Sequence, residues 1–448
     1  MSREQVDAAV ARVRARAGDE AFGALAQHVA DAMTAGEGTG VLHQAGVQEF
    51  LWYSVPKRFP PDEWGDAVAL AATLLDELGF DRYASIARSE TTASLHDAWR
   101  AGRSTWRRKF ASAVRASGVE PLDTDVLTWG TVFGPDEDRA RRTVERALEA
   151  AIVAGGLVPG ARRWKDTASA ITRATITAPL DLPPGQTLAT LVTTERAEHW
   201  VRLAHGRDDR RVAAWRESAV RRVLGPVAPP DDAATIVGPV AWLLRRATGG
   251  IELTQSLYIA RPLVLEAAET FGWWEWDKPP RSEVDLLPLG DVREVATEQR
   301  WIRRNGRRLT ATAEGKRLAT DAGALWSAVA QTLGGSHAFD RTVGELMAHR
   351  LLEGPASDDE LVEAVGSGAS TLGWQTRSGP LSDDQARSAM FARRHWWRLL
   401  QVTDEDPTVW DTGAQRPTRT RTTHLTPAGR TTVLAYLRNL ATGPRTDV

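Results

Sequence analysis

Between Glu252 and Trp326 the spacing of apolar and polar positions changes period twice, and the rest of the chain is read outward from there. Trp301 to Arg304 and Arg307 to Thr310 are two short runs on either side of Asn305-Gly306. That dipeptide accepts the positive φ angles of a tight turn, so the pair predicts a β-hairpin. Thr310 or Thr312 then caps a helix that has Glu314 in its first turn and Leu318, Leu325 and Trp326 along one apolar side. Upstream, the pattern predicts a helix over Ala234–Thr248, a short strand over Ile251–Thr254 and a helix over Arg261–Phe271. Trp273-Trp274-Glu-Trp276 and Pro279-Pro280 form a rigid connector before a short helix over Asp291–Gln299. The order is α, β, α, α, β, β, α.

The last hundred residues repeat that plan more loosely. Thr342–Leu352 and Asp358–Val365 predict two helices and Asp383–Leu399 a third. Leu400–Thr403 with Arg419–Leu425 predicts a hairpin with a long tip, and Thr426, Pro427 and Gly429 open a terminal helix. Leu309–Lys316 (LTATAEGK) and Leu425–Arg430 (LTPAGR) share one local grammar: strand end, Thr cap, Gly, basic residue.

The first 224 residues carry helical periodicity throughout. Val47–Val55 reads as a short helix or strand ending before Pro56, and Ser94–Ser117 as one basic amphipathic helix. Pro135–Ala154 has Pro at a helix start and Asp136, Glu137 and Asp138 in the first turn. The proline-rich run 225–233 resists helix continuation and predicts a linker. The predicted fold class is therefore mainly α. A helical domain spans 1–224, the linker 225–233, and two modules with short β-hairpins cover 234–335 and 336–448.

Composition narrows the function. Formal net charge is −2, so any contact with a polyanion must come from local patches. Five of the 56 basic residues are lysines. Arginine suits bidentate phosphate or guanine contacts, but GC-rich coding produces the same bias. There is no cysteine, which excludes disulfides, iron-sulfur clusters, thiolate zinc sites and cysteine nucleophiles. No signal core and no membrane-length apolar run occur, so the protein is expected in the cytoplasm. Eighteen tryptophans against nine phenylalanines suggest either Trp-filled cores or exposed Trp at an interface.

The strand-end, Thr, Gly, basic grammar resembles the wing-to-final-helix junction of the winged helix-turn-helix superfamily, above all its MarR-like and PadR-like regulators. The tandem arrangement also resembles uncharacterised proteins of high-GC bacteria. In that superfamily the helix before the hairpin commonly enters the major groove of double-stranded DNA while the hairpin touches phosphate. The resemblance therefore implies DNA contact by Arg303, Arg304, Arg307 and Arg308 of the first wing. In the second copy it implies contact by Arg387, Arg393, Arg394 and Arg398 of the third helix, with Arg419 and Arg421 of the wing. The helix of the first copy departs from this pattern, since Asp291, Glu294 and Glu298 outnumber Arg293. Arg103, Arg107, Arg108 and Lys109 form a secondary basic patch, readable as a solvated face or as a nucleic-acid or acidic-protein contact.

Candidate chemistry is otherwise sparse. His199 and His205 lie six apart, which on a helix does not place both on one face for a metal. Gly36, Gly38 and Gly40 lack a leading strand and a following Lys-Ser or Lys-Thr, and Gly315-Lys316 is followed by Arg. No catalytic residue, metal or cofactor is assigned. Two readings follow: a DNA-binding transcriptional regulator, or an assembly subunit whose winged helices bind protein, with a protein partner or a second copy of the chain.

Overall fold

The structure, a computed structural model, describes residues 3–17, 20–34, 36, 38–182, 184–205, 210–406, 409–411 and 418–446, with side chains at all of these except 17, 20–22, 409–411 and 418–420. The chain is mainly helical, with two small three-stranded antiparallel sheets and a further two-stranded ladder. It divides into two compact units, Met1–Glu195 with Pro444–Val448, and Arg196–Gly443. The division thus falls upstream of 225–233.

In the first unit every named element is a helix or helical turn. Helices Arg3–Ala17, Glu20–Thr34 and Trp64–Glu77 pack on one another through Val6, Val10, Val29, Leu70 and Leu74. Two details differ from expectation. Ser94–Ser117 is broken at Gly102, whose φ of 128° no side-chain-bearing residue adopts readily, giving Glu90–Ala101 and Arg103–Ser117. The segment at Val47 does not stop before Pro56: Gln44–Glu49 widens into a π-helical turn over Phe50–Ser54 and continues as Val55–Arg58.

Proline explains the wide turn. Pro56 has no N–H to give to Trp52 four residues back or Leu51 five back. Both carbonyls are met from another direction: His96 Nε2 donates to Leu51 O at 2.8 Å and Trp106 Nε1 donates to Trp52 O at 3.2 Å. The ring donors thereby satisfy buried carbonyls that the helix leaves open.

The second unit gathers helix Arg211–Val223 against helices Ala338–Glu353 and Pro427–Thr442. Arg216 donates to both carboxylate oxygens of Glu345, at 2.6 and 3.1 Å, and to Trp200 O at 2.6 Å. His349 stacks between Trp200 and Trp215. Burial alone would raise the Glu345 carboxyl, but Arg216 and His349 overcome it and hold the group at about 2. Arg438 caps the end of the Arg211–Val223 helix through the carbonyls of Leu224 and Gly225, at 2.6 and 2.7 Å. Residues 225–233 therefore lie inside this unit.

The two small sheets follow one plan. In the first, β1 (Ile251–Glu252) pairs with β3 (Arg308–Ala311), which pairs with β2 (Ile302–Asn305). A hairpin forms, but its turn lies one residue later than expected. Asn305 is the last residue of β2, opposite Arg308, and the turn is Gly306-Arg307, with the positive φ of 59° taken by Gly306 and not by Asn305. In the second, β4 (Ala356–Ser357) pairs with β8 (Thr422–Leu425), which pairs with β5 (Thr403–Glu405). The long tip carries the extra ladder of β6 (Val409–Asp411) and β7 (Thr418–Thr420).

The shared Thr-Gly grammar has a physical cause. Arg300 and Gln401 end their helices with left-handed φ of 55° and 54°. Thr312 Oγ1 donates to Arg300 O at 3.0 Å and accepts from Gly315 N at 3.1 Å. Thr426 Oγ1 donates to Gln401 O at 2.8 Å and accepts from Gly429 N at 2.8 Å. A Cβ on Gly315 would lie 2.0 Å from Trp301 O, and one on Gly429 would lie 1.8 Å from Val402 O. Only glycine lets the helix start this close to the chain entering the hairpin.

Tryptophan fills the interior here. Trp326, Trp396 and Trp397 are buried, and their indole N–H groups donate to Thr432 Oγ1, Thr332 Oγ1 and Leu333 O at 2.9, 3.0 and 2.9 Å.

Candidate functional site

The arginines of the first hairpin split into two pairs. Register places Arg303 and Arg308 on one face and Arg304 on the other. Arg307 folds back, its guanidinium donating to Leu253 O at 3.1 and 3.2 Å. Arg308 donates to Gly249 O at 2.8 Å and lies 3.8 Å from Glu252. Arg304 reaches only Gly306 O, at 3.4 Å, and Arg303 has no hydrogen bond or ion pair among the described residues. The tip therefore presents two guanidinium groups outward.

The second copy treats its arginines differently. Glu405, on β5, has a side chain 14% exposed and receives three of them: Arg394 at 3.0 Å, Arg421 at 3.3 Å and Arg398 at 3.6 Å. Arg394 also contacts Asp358 at 2.6 Å and donates to Thr423 Oγ1 at 2.8 Å. Arg387 pairs with Asp359 at 3.3 Å. Arg393 lies over Gly335, where a Cβ would meet its guanidinium at 2.5 Å. Arg419 is on β7, whose side chains lie outside the described residues.

The helices that precede the two hairpins are Leu287–Glu298 and Asp383–Leu399. They line a shared cleft of about 400 Å³ with the segment around Gly335 to Asp340. His395 Nε2 lies 2.9 Å from Asp291 Oδ2, a short contact without hydrogen-bond alignment. Leu287 and Phe391 stand at this cleft, 66% and 76% exposed. Its lining carries Asp291, Glu294, Glu298 and Asp340 against Arg393, with His337 and His395 beside them, so acids outnumber the one arginine. Arg293, the base of the first helix, is bound to Glu283 at 2.7 Å on the other side.

In the first unit, Arg103, Arg107 and Arg108 are exposed on the Arg103–Ser117 helix without hydrogen bonds or ion pairs among the described residues, and Lys109 donates to Ser94 Oγ at 3.0 Å. Trp106 is buried beneath them. The predicted basic residues thus divide into two sets. Arg303 and Arg304 of the first hairpin and Arg103, Arg107 and Arg108 of this helix have no acidic partner among the described residues, whereas Arg387, Arg394, Arg398 and Arg421 of the second copy are acid-bound.

Residues 235–324 match the family model of the Y4jL N-terminal domain, a span that takes in β1, β2, β3 and the helices between them. No curated protein and no solved structure matches the chain. Among the described residues no helix is long and apolar enough to cross a membrane, and no group of three or more His, Asp or Glu side chains gathers as metal ligands would.

Proposed function

We propose that this protein is a non-enzymatic, cytoplasmic assembly subunit whose C-terminal half carries two winged helices, at 234–335 and 336–448, used for protein contact. The observation that carries the reading is Glu405, which occupies three of the arginines a DNA-binding second wing would need. A groove-reading helix needs an outward cationic face; here Leu287–Glu298 is acidic and its Asp291 lies against His395 of the corresponding helix. The match over 235–324 supports treating the first copy as a module in its own right.

The contact surface is the cleft between those helices. Exposed Leu287 and Phe391 supply apolar anchors, and the acid-rich lining selects a basic amphipathic segment of a partner protein. A displayed peptide library panned on the full chain is expected to enrich basic amphipathic sequences, and Leu287→Ser with Phe391→Ser is expected to abolish that enrichment. Enrichment unaffected by the double substitution, or none at all, overturns the cleft as the contact surface.

A second reading has one observation in its favour: Arg303 and Arg304 have no acidic partner. Double-stranded DNA held at that tip would bind weakly and with a shallow salt dependence, set by the few phosphates neutralised. Titration of labelled duplex at low salt distinguishes the two readings.

A further inference from the structure

The first unit holds a cavity of about 600 Å³, large enough for a drug-sized molecule. One wall is aromatic. Tyr53 and Trp106 have ring centroids 5.7 Å apart, Trp106 and Phe110 4.9 Å apart, and Phe133 stands at the rim. The π-helical turn shapes this wall, since the carbonyl that Pro56 leaves open holds the Trp106 indole in place.

The rest of the lining is largely ionic, and its charges are unequally engaged. His43 donates from Nδ1 to Val41 O at 3.0 Å and from Nε2 to Glu145 Oε2 at 3.1 Å. A carbonyl can only accept, so with the carboxylate on the other nitrogen both ring nitrogens carry protons, and the Glu145 hydrogen bond raises the imidazole above its usual range. Arg141 holds the second Glu145 oxygen at 3.0 Å, and Arg142 pairs with Asp138 at 2.8 Å. The three cationic groups lining the cavity therefore share two carboxylates, Glu145 serving both His43 and Arg141 and Asp138 serving Arg142. Two lining carboxylates, Glu49 and Glu120, have no hydrogen bond or ion pair among the described residues. Glu120 is half-buried.

We infer that this cavity binds an organic cation, an amine carried on an aromatic or aliphatic body. The ring faces of Tyr53, Trp106 and Phe110 would receive the body, and the free carboxylates of Glu120 and Glu49 the ammonium group. An anionic ligand would find the arginines and His43 already engaged and two further carboxylates facing it. Glu49 is exposed, and burial raises the Glu120 carboxyl while Arg141 and Arg115 nearby draw it back down without an ion pair among the described residues. A neutral one would fill the volume without using either acid.

The test is calorimetric titration of the full-length protein with three indoles of nearly equal size: tryptamine, the neutral alcohol tryptophol and the anionic indole-3-acetate. Phenethylamine and hexylamine extend the amine arm. Saturable binding of at least one amine is expected, with the alcohol about tenfold weaker and the acid weaker still. Glu120→Gln is expected to remove most of the preference for amine over alcohol. It should leave thermal unfolding unchanged, because that carboxylate supports no other group. Equal binding of amine and alcohol, an unchanged preference in Glu120→Gln, or no saturable binding of any of the three amines at millimolar concentration overturns the inference.

Discussion

Thr312 and Thr426 cap their helices alike, each with a left-handed residue behind it and a glycine three positions on, yet the arginines beside them meet opposite fates. In the first copy Arg303 and Arg304 stand clear of acids; in the second, Arg394, Arg398 and Arg421 converge on Glu405. The same contrast recurs in the helices below. Arg246 meets Glu266 at the surface, with Trp242 Nε1 also donating to that carboxylate at 2.9 Å. Arg216 meets Glu345 in the interior beneath Trp200. One architecture thus serves two electrostatic purposes. A basic wing read from sequence says how many cations are present, not how many are free to meet a partner.

The largest expected effect comes from the buried pair. Glu345→Ala leaves the Arg216 guanidinium enclosed without its counter-ion and should cost about 3–5 kcal/mol, whereas Glu266→Ala at the exposed pair should cost about 0–1 kcal/mol. Denaturant unfolding followed by tryptophan fluorescence measures both; equal losses would remove the distinction between the buried and the exposed pair. The same pair sets an acid limit. The Glu345 carboxyl is depressed to about 2 from 4.5, so its contribution is complete above pH 4.5 and is lost as pH falls toward 2. In the first unit His43 is raised above 6.5, so its contribution is complete below pH 6.5 and is lost as pH rises through the higher folded value.

Of intermediate size is Glu405→Gln, which should cost about 1–3 kcal/mol by leaving part-buried guanidinium groups without their carboxylate. It should also strengthen duplex DNA binding and steepen its salt dependence, because Arg398 and Arg421 are released while Arg394 keeps Asp358. If DNA affinity does not change, those arginines face away from any groove even when free. The smallest effect is expected for Arg303→Ala with Arg304→Ala, within about 0.5 kcal/mol of the parent stability, since neither side chain is tied to the fold. A loss well above that would mean the tip is braced rather than presented.

What could be read in advance was local. A hairpin at Gly306, the Thr312 and Thr426 caps and the Pro135 helix start each depend on two or three adjacent residues, and the residue types announce them, although the turn falls on Gly306-Arg307 and not on Asn305-Gly306. Of the two roles open to tryptophan, core filler and exposed contact, Trp396 and Trp397 take the first. Partners distant in sequence could not be assigned. Glu405 was identifiable as a nearby acid, but its convergence with Arg394, Arg398 and Arg421 needs β5, β8 and a helix brought together. Arg216 with Glu345, and Asp291 with His395, carry no sequence signal. Nor does the cavity in the first unit: Val47–Val55 reads as a short helix or strand that stops before Pro56, whereas the chain passes through Pro56 by a π-helical turn.

The Thr-Gly junctions also govern motion. Each ties the chain entering its hairpin to the first turn of the following helix by a shared hydroxyl, while the glycine lies flush against a carbonyl with no room for slippage. Hairpin and helix are consequently fastened at one point, so a force applied at the Gly306-Arg307 tip has a hydrogen-bonded route to the helix that starts at Ala313.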